Sequence, residues 1–138
     1  MSEFSISSPD FNEGDEIPKK FGYKHGNEEP SIEFNEENLT NYFALIMDDP
    51  DAMAVVGKVW VHWLEYYDGA DKDQDIPHSA RLHGKTDFDE IGYGGPAPPN
   101  GRHTYIFKGY FRVAFRRIVP THYRHRANDS YAFRIHRH

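Results

Sequence analysis

Tyr42-Phe43-Ala44-Leu45-Ile46-Met47, followed at once by Asp48-Asp49-Pro50-Asp51, is the stretch on which the reading of this chain turns. A continuous apolar run marks a strand at the centre of a sheet, and Pro50 stops it because proline offers no ladder donor. Similar signals lie on both sides of it. Val59 to Tyr67 is aromatic and β-rich, which predicts a second core strand. In Thr104 to Phe115, Tyr105, Phe107, Phe111, Val113 and Phe115 fall on one face, with Gly109 completing the alternation and predicting a bulge there. Phe4 to Ser7 and Ser31 to Phe34 alternate as half-buried strands, and Ile17 to Tyr23 reads as a proline-marked edge strand. Lys24 to Pro30, Ala52 to Lys58 and Asp68 to Asp75 are loops, Glu36 to Asn41 is a polar turn, and Ile76 to Asp89 has no clear period. Near the end, Ala127-Asn128-Asp129-Ser130 supplies turn chemistry before Tyr131, Phe133 and Ile135. Those three alternate with Ala132, Arg134 and His136, predicting a strand beside Thr104 to Phe115, against a loose basic extension through Thr121 to Arg126. The fold class is a mainly antiparallel β domain with little helix.

At 138 residues the chain makes one domain, 1–138, and its 10 Phe and 9 Tyr can supply a core despite the negative hydropathy. The absence of cysteine excludes a disulfide framework, a thiolate metal site and a thiol nucleophile. No apolar stretch reaches the length of a membrane span, and the N-terminus lacks the basic and apolar regions of a signal peptide, so the expectation is a cytoplasmic protein. The net charge of -6 conceals an asymmetry: residues 1–111 are strongly acidic, while 112–138 are rich in arginine with Asp129 their one acid. An acidic body argues against general nucleic-acid binding, which needs a basic face. The basic ending reads as a solvated face.

Three segments carry chemistry. Asp48, Asp49 and Asp51 have the ligand type of a calcium loop, but Pro50 and Ala52-Met53-Ala54 break its spacing. They read instead as a strand-end turn whose carboxylates satisfy nearby donors. His62 lies between Val61 and Trp63 and faces opposite to both, so it either points away from the core or sits buried and hydrogen-bonded. His103 and Tyr105 share a strand face. They follow a loop in which Gly92, Gly94, Gly95 and Gly101 permit positive φ, so that successive N–H groups could form an anion nest. Pro96, Pro98 and Pro99 stiffen that loop.

Taken together, these segments resemble the phosphatidylethanolamine-binding protein family, in particular its bacterial and archaeal branch; animal members include the Raf kinase inhibitor protein. The likeness is carried by Ile17-Pro18-Lys19-Lys20, Glu29-Pro30-Ser31-Ile32-Glu33-Phe34, Ala44 to Ala52, Trp60-Val61-His62-Trp63, Gly84-Lys85-Thr86-Asp87-Phe88, Gly92-Tyr93-Gly94-Gly95-Pro96 and His103-Thr104-Tyr105. It implies a large antiparallel sheet packed with a smaller one, a few short peripheral helices, and an anion pocket at strand ends. By position, Asp49, His62, His103 and Tyr105 would line the pocket, with Gly94, Gly95 and Pro98 on its rim. Asp51 would brace the turn, and Trp60 and Trp63 would support the site. Met53 stands where the family usually carries proline, and residues 112–138 do not resemble the family's ending.

Three function classes follow. The first is a binding module for a phosphate-bearing or other anionic ligand, a phospholipid headgroup or a phosphorylated protein segment, with a kinase-inhibitor-like role open. Protonated imidazole and backbone N–H would be the donors, and no cofactor is implied. The second is a metal-dependent enzyme using His62, His103 and Asp49, the ligand types of a non-haem iron site. The third is hydrolysis with Asp49 and a histidine as acid and base, weakened by the lack of a serine nucleophile motif.

Overall fold

The continuous apolar run becomes β3 (Tyr42–Asp49), the middle strand of an antiparallel sheet. The computed structural model describes residues 5–35, 42–68, 81–112 and 132–136. Among these, β3 is flanked by β4 (Trp60–Asp68) and β6 (Thr104–Arg112). The outer positions are taken by β5 (Leu82–His83) and β7 (Ala132–His136), giving the order β5-β4-β3-β6-β7. A smaller sheet pairs β1 (Ser5–Ser7) with β2 (Glu33–Asn35). No helix among the described residues is long and apolar enough to cross a membrane.

One face of the large sheet makes the core. Phe43, Leu45 and Met47 of β3, Trp63 of β4, and Tyr105 and Phe107 of β6 are buried on it. Against them pack Ile6, Phe11, Ile17 and Phe21 of the N-terminal segment, with Phe34 stacked at 4.8 Å from Phe43. Burying large aromatic side chains is the main source of cohesion in such a layer, at roughly 25 cal/mol per Å² of apolar area removed from water. Ala44 and Ile46, on the other face, are only half-buried, so the apolar run is shielded more fully on one side than on the other.

Several expectations are corrected. Ile17 to Tyr23 is not an edge strand. Pro18, at φ -55, opens a 3-10 turn over Lys19–Phe21, with the Phe21 N–H donating to the Pro18 carbonyl at 3.0 Å. The turn lets Ile17 and Phe21, four residues apart, both enter the core. Pro50–Ala52 forms another 3-10 turn, continued by the short helix α1 (Met53–Val56), where a loop was expected. Gly109 marks no bulge, since it pairs directly with Leu45 in an unbroken β3–β6 ladder. A Cβ there would lie 2.5 Å from Ile6 Cγ2, so glycine lets β1 approach the sheet. The bulge lies instead between β3 and β4, where Met47 pairs with Trp63 and Asp48 with Val61. His62 is the extra residue.

Phe4, the turn Glu36 to Asn41, the remainder of the Asp68 to Asp75 loop, residues 76–80, Val113 to Phe115, Thr121 to Arg126, the turn at Ala127 to Ser130, and Tyr131 lie outside the described residues. The strand predicted near the C-terminus is present as β7, antiparallel to β6 with Tyr105 opposite Ile135 and Phe107 opposite Phe133. Amide hydrogen exchange checks this pairing. The ladder amides of 132–136 should exchange more slowly than unstructured chain, and exchange at the unfolded rate throughout would eliminate β7.

Candidate functional site

The end of β3, the start of β4 and the start of β6 meet where the apolar pattern gives way to polar residues. Asp49 ends β3, and its Oδ2 accepts a hydrogen bond from His103 Nδ1 at 2.6 Å. Both side chains are almost wholly buried, each about 4% exposed. The second nitrogen of His103 lies 3.0 Å from Asn100 Oδ1, so both ring nitrogens are occupied within the protein. The second carboxylate oxygen of Asp49, Oδ1, is buried with no partner.

The bulge gives His62 its direction. Without it, strict alternation would put His62 on the sheet face opposite Trp63. An extra residue breaks that parity and re-aims the side chain, as bulges beside sites commonly do. The His62 ring packs edge-on against Tyr105, with centroids 5.2 Å apart, and against Phe88 at 5.3 Å. Its Nδ1–H donates to the Gly94 carbonyl at 2.7 Å, which makes Nε2 the acceptor of the neutral ring. Burial lowers the His62 pKa below the ordinary value. The Gly94 carbonyl and the Asp49 and Asp48 carboxylates act the other way and do not overcome it. The Tyr105 hydroxyl is buried and closes no hydrogen bond. Burial first, then the Asp49 charge, hold that phenol well above the usual range.

Beside these groups lies a cavity of about 190 Å³ lined by Asp49, Ala52, Val55, Val56, Trp60, His62, Phe88, Ala97 and Pro99. Trp60, expected as support, is a wall, and its buried Nε1–H has no partner. Trp63 is the true support: it sits in the core with Nε1 donating to Glu65 at 2.7 Å. Pro98 is not among the lining residues, although Ala97 and Pro99 on either side of it are. Asp51 is turned away from the cavity, accepting from the Thr104 amide at 2.7 Å. The structure thus gathers Asp49, His62, His103 and Tyr105 in one place, with Asp49 and His62 facing the cavity.

The glycine loop does not form an anion nest. Neither Gly94 nor Gly95 has positive φ. The Gly94 N–H donates to the His62 carbonyl at 2.8 Å, and the Gly95 N–H to Asn27 Oδ1 at 2.7 Å. These amides stitch the loop to β4 and to the N-terminal segment, so they are spent on the fold rather than offered to a ligand.

Phe88 is the wall that sequence reasoning missed. Thr86 caps its turn, the Thr86 hydroxyl accepting from the Phe88 amide at 3.2 Å. Asp87 ties the turn to β4, accepting from the Val61 amide and from Lys58 Nζ, both at 2.6 Å. Burial would raise the Asp87 pKa, but Lys58 and the Val61 N–H hold it below the usual carboxylate range. Tyr23 stacks flat on Phe88 at 4.0 Å and donates its hydroxyl to Glu90.

A second buried polar group stands apart from the cavity. Glu65, 1% exposed at its side chain, accepts from Trp63 and from Arg81 Nη1, the latter at 3.0 and 2.7 Å. Arg81 also bridges to Glu29 at 3.0 Å. Burial raises the Glu65 pKa despite the Arg81 charge beside it. Among the described residues, no three His, Asp or Glu side chains are grouped as ligands for a metal ion.

Comparison with known proteins agrees with this geometry. A family model for phosphatidylethanolamine-binding protein matches residues 7–129. The UPF0098 protein of Methanothermobacter thermautotrophicus is 33% identical over 109 residues, 72% of this chain and 70% of its own length. That of Aquifex aeolicus is 36% identical over 121 residues, 75% of this chain and 64% of its own. Among solved structures, one described as a phosphatidylethanolamine-binding protein homologue from Chlamydia trachomatis superposes with a TM-score of 0.65 at 27% identity. The match covers 78% of this chain and 73% of that one. With the family model spanning most of its length and relatives above 30% identity, this chain belongs to the phosphatidylethanolamine-binding protein family.

Proposed function

We propose that this chain is a binding module for a phosphate-bearing ligand rather than an enzyme. The observation that carries the reading is a set of orphaned polar atoms, Asp49 Oδ1, the Tyr105 hydroxyl and Trp60 Nε1, buried at or beside one cavity. Buried polar groups are nearly always hydrogen-bonded, and leaving one unmet costs about 1–3 kcal/mol. Three such atoms together are accounted for by a ligand that meets them. A phosphoryl group is compact, accepts at several oxygens and, when singly protonated, also donates. Tyr105 and Trp60 supply donors to it, and His62 joins them on taking up a proton. A phosphorylated protein segment would present the same group. The residues lining the cavity include no serine, threonine, cysteine or lysine, which supports binding over nucleophilic chemistry.

The charge balance sets the pH dependence. No Lys or Arg lines the cavity, and His62 is neutral without ligand because burial lowers its pKa from 6.5. An anion beside Nε2 stabilises the imidazolium, so binding takes up a proton. Phosphomonoesters, with a second pKa of about 6, become singly protonated over the same range. Titration calorimetry with phenyl phosphate at pH 5.5 and pH 8, in two buffers of different ionisation enthalpy, is the test. The expected result is tighter binding at the lower pH with proton uptake. Equal affinity at both would remove His62 from the mechanism, and no binding at either would refute the phosphate reading. Stoichiometric iron or zinc in the purified protein would favour the metalloenzyme instead.

A further inference from the structure

Resting on the phosphate reading above, we infer that the pocket selects phosphomonoesters of compact apolar alcohols, aryl ones above all, and discriminates against phosphodiesters and sugar phosphates. Asp49 decides the first half. The residue is 3% exposed, its Oδ2 is held by His103, and its Oδ1 is buried without a partner. A carboxylate oxygen accepts hydrogen bonds and does not donate them, so the ligand oxygen facing it must carry a hydrogen. A singly protonated monoester has one P–OH for this place. A diester has none: its free oxygens are acceptors, and one of them would face Asp49 Oδ1 oxygen to oxygen across a water-poor cavity. The glycine amides that might have offset this are committed to His62 and Asn27.

The walls decide the second half. Ala52, Val55, Val56, Ala97 and Pro99 offer no side-chain polar atom. Val55 and Val56 are 43% and 49% exposed, which places apolar surface where the body of the ligand emerges. Sugar hydroxyls would lose water against these groups without a replacement bond. A flat ring instead gains burial, and it can join Trp60 and Phe88, already edge-to-face at 5.6 Å and 74°, in the geometry aromatic groups prefer. The cavity of about 190 Å³ suits a phosphate with part of a ring and is small for a sugar phosphate held whole.

The test compares matched ligands by calorimetry at pH 6 on the full chain. Phenyl phosphate and methyl phenyl phosphate share the ring and differ at the P–OH. Glucose 6-phosphate keeps the phosphate and changes the body. Phenyl phosphate should bind about tenfold or more tightly than its methyl ester, the scale of one hydrogen bond to a charged group, and more tightly than glucose 6-phosphate. Asp49→Asn separates hydrogen bonding from steric exclusion. The amide can keep its oxygen toward His103 and turn its NH₂ to the cavity, where it donates to a diester oxygen. The gap between monoester and diester should then close or invert. Equal affinity of wild type for phenyl phosphate and its methyl ester overturns the inference, as does an unchanged gap in a folded Asp49→Asn, or glucose 6-phosphate binding as tightly as phenyl phosphate. If Asp49→Asn does not fold, the wild-type comparison decides alone. Failure of every ligand, inorganic phosphate included, refutes the phosphate reading itself, whereas inorganic phosphate binding without the predicted ranking refutes only the selectivity.

Discussion

Gly95→Ala should destabilise the protein by about 3 kcal/mol or more, the upper range for overpacking. A Cβ at this position would lie 1.9 Å from the Phe21 carbonyl oxygen, and 2.9 Å from both Phe21 C and Tyr23 N. All three neighbours are backbone atoms, so no rotamer change relieves the clash. Nor can either segment retreat easily. The Tyr23 amide donates to the Pro96 carbonyl at 3.0 Å, and the Gly95 amide donates to Asn27. Gly94→Ala is the informative contrast, because its Cβ would meet the Phe88 ring at 2.5 Å rather than backbone. A ring can swing, so that variant should retain more stability while distorting the cavity wall. Urea unfolding of both variants measures the difference. A Gly95→Ala protein within 1 kcal/mol of wild type would show that the loop does not approach the N-terminal segment so closely.

Arg81→Met should cost about 3 kcal/mol at neutral pH, the lower end of the range for removing one partner of a buried ion pair. Arg81 supplies Nη1 to both oxygens of Glu65, and methionine would leave that buried carboxylate facing Trp63 Nε1 and His83 without the guanidinium. Glu65 has a way out, which keeps the cost at the low end. Burial already raises its pKa, and losing the Arg81 charge raises it further, so the side chain can take up a proton. The pH dependence follows. A carboxyl whose folded pKa exceeds its unfolded value binds more protons in the folded state, so it favours folding at low pH and that contribution is lost as pH rises through the folded pKa. The defect should therefore be largest near pH 7 and shrink as pH falls toward 4.5, the unperturbed value. Unfolding midpoints at pH 7 and pH 5 test this, and a defect independent of pH would mean that lost packing of the Arg81 stem dominates.

The large sheet was legible because its central strands announce themselves locally. The apolar run of β3 and the alternation Tyr105, Phe107 in β6 need no knowledge of partners. His103 and Tyr105 were placed near each other by simple period-2 counting. What escaped the sequence depended on contacts between distant segments. His62 was read by strict alternation, which a bulge invalidates, and bulges are set by the pairing of two strands rather than by either sequence. The glycine loop permits positive φ at Gly94 and Gly95, but permission is not use: their amides are claimed by His62 and Asn27, far away in the chain. Gly109 likewise made local sense as a bulge, whereas its actual reason is the side chain of Ile6 pressed against it. Ile17 to Tyr23 misled because its β-leaning residues were weighed above the turn-forming geometry of Pro18. Phe88 was passed over as an ordinary apolar residue in an irregular segment.

His62 is also, in the arithmetic of the ladder, a supernumerary residue. Trp63 pairs with Met47 and Val61 with Asp48, so the two strands would close into an unbroken register if His62 were simply left out. Trp60 and Trp63, three positions apart in sequence, would then stand two apart and keep the same side of the sheet that they share now. The imidazole is thus an insertion into a strand already complete without it. The machinery for recognition and the scaffold that carries it are separable at this one residue, so a lineage could gain or shed the histidine through a single-codon insertion or deletion without redrawing the hydrophobic pattern of β4.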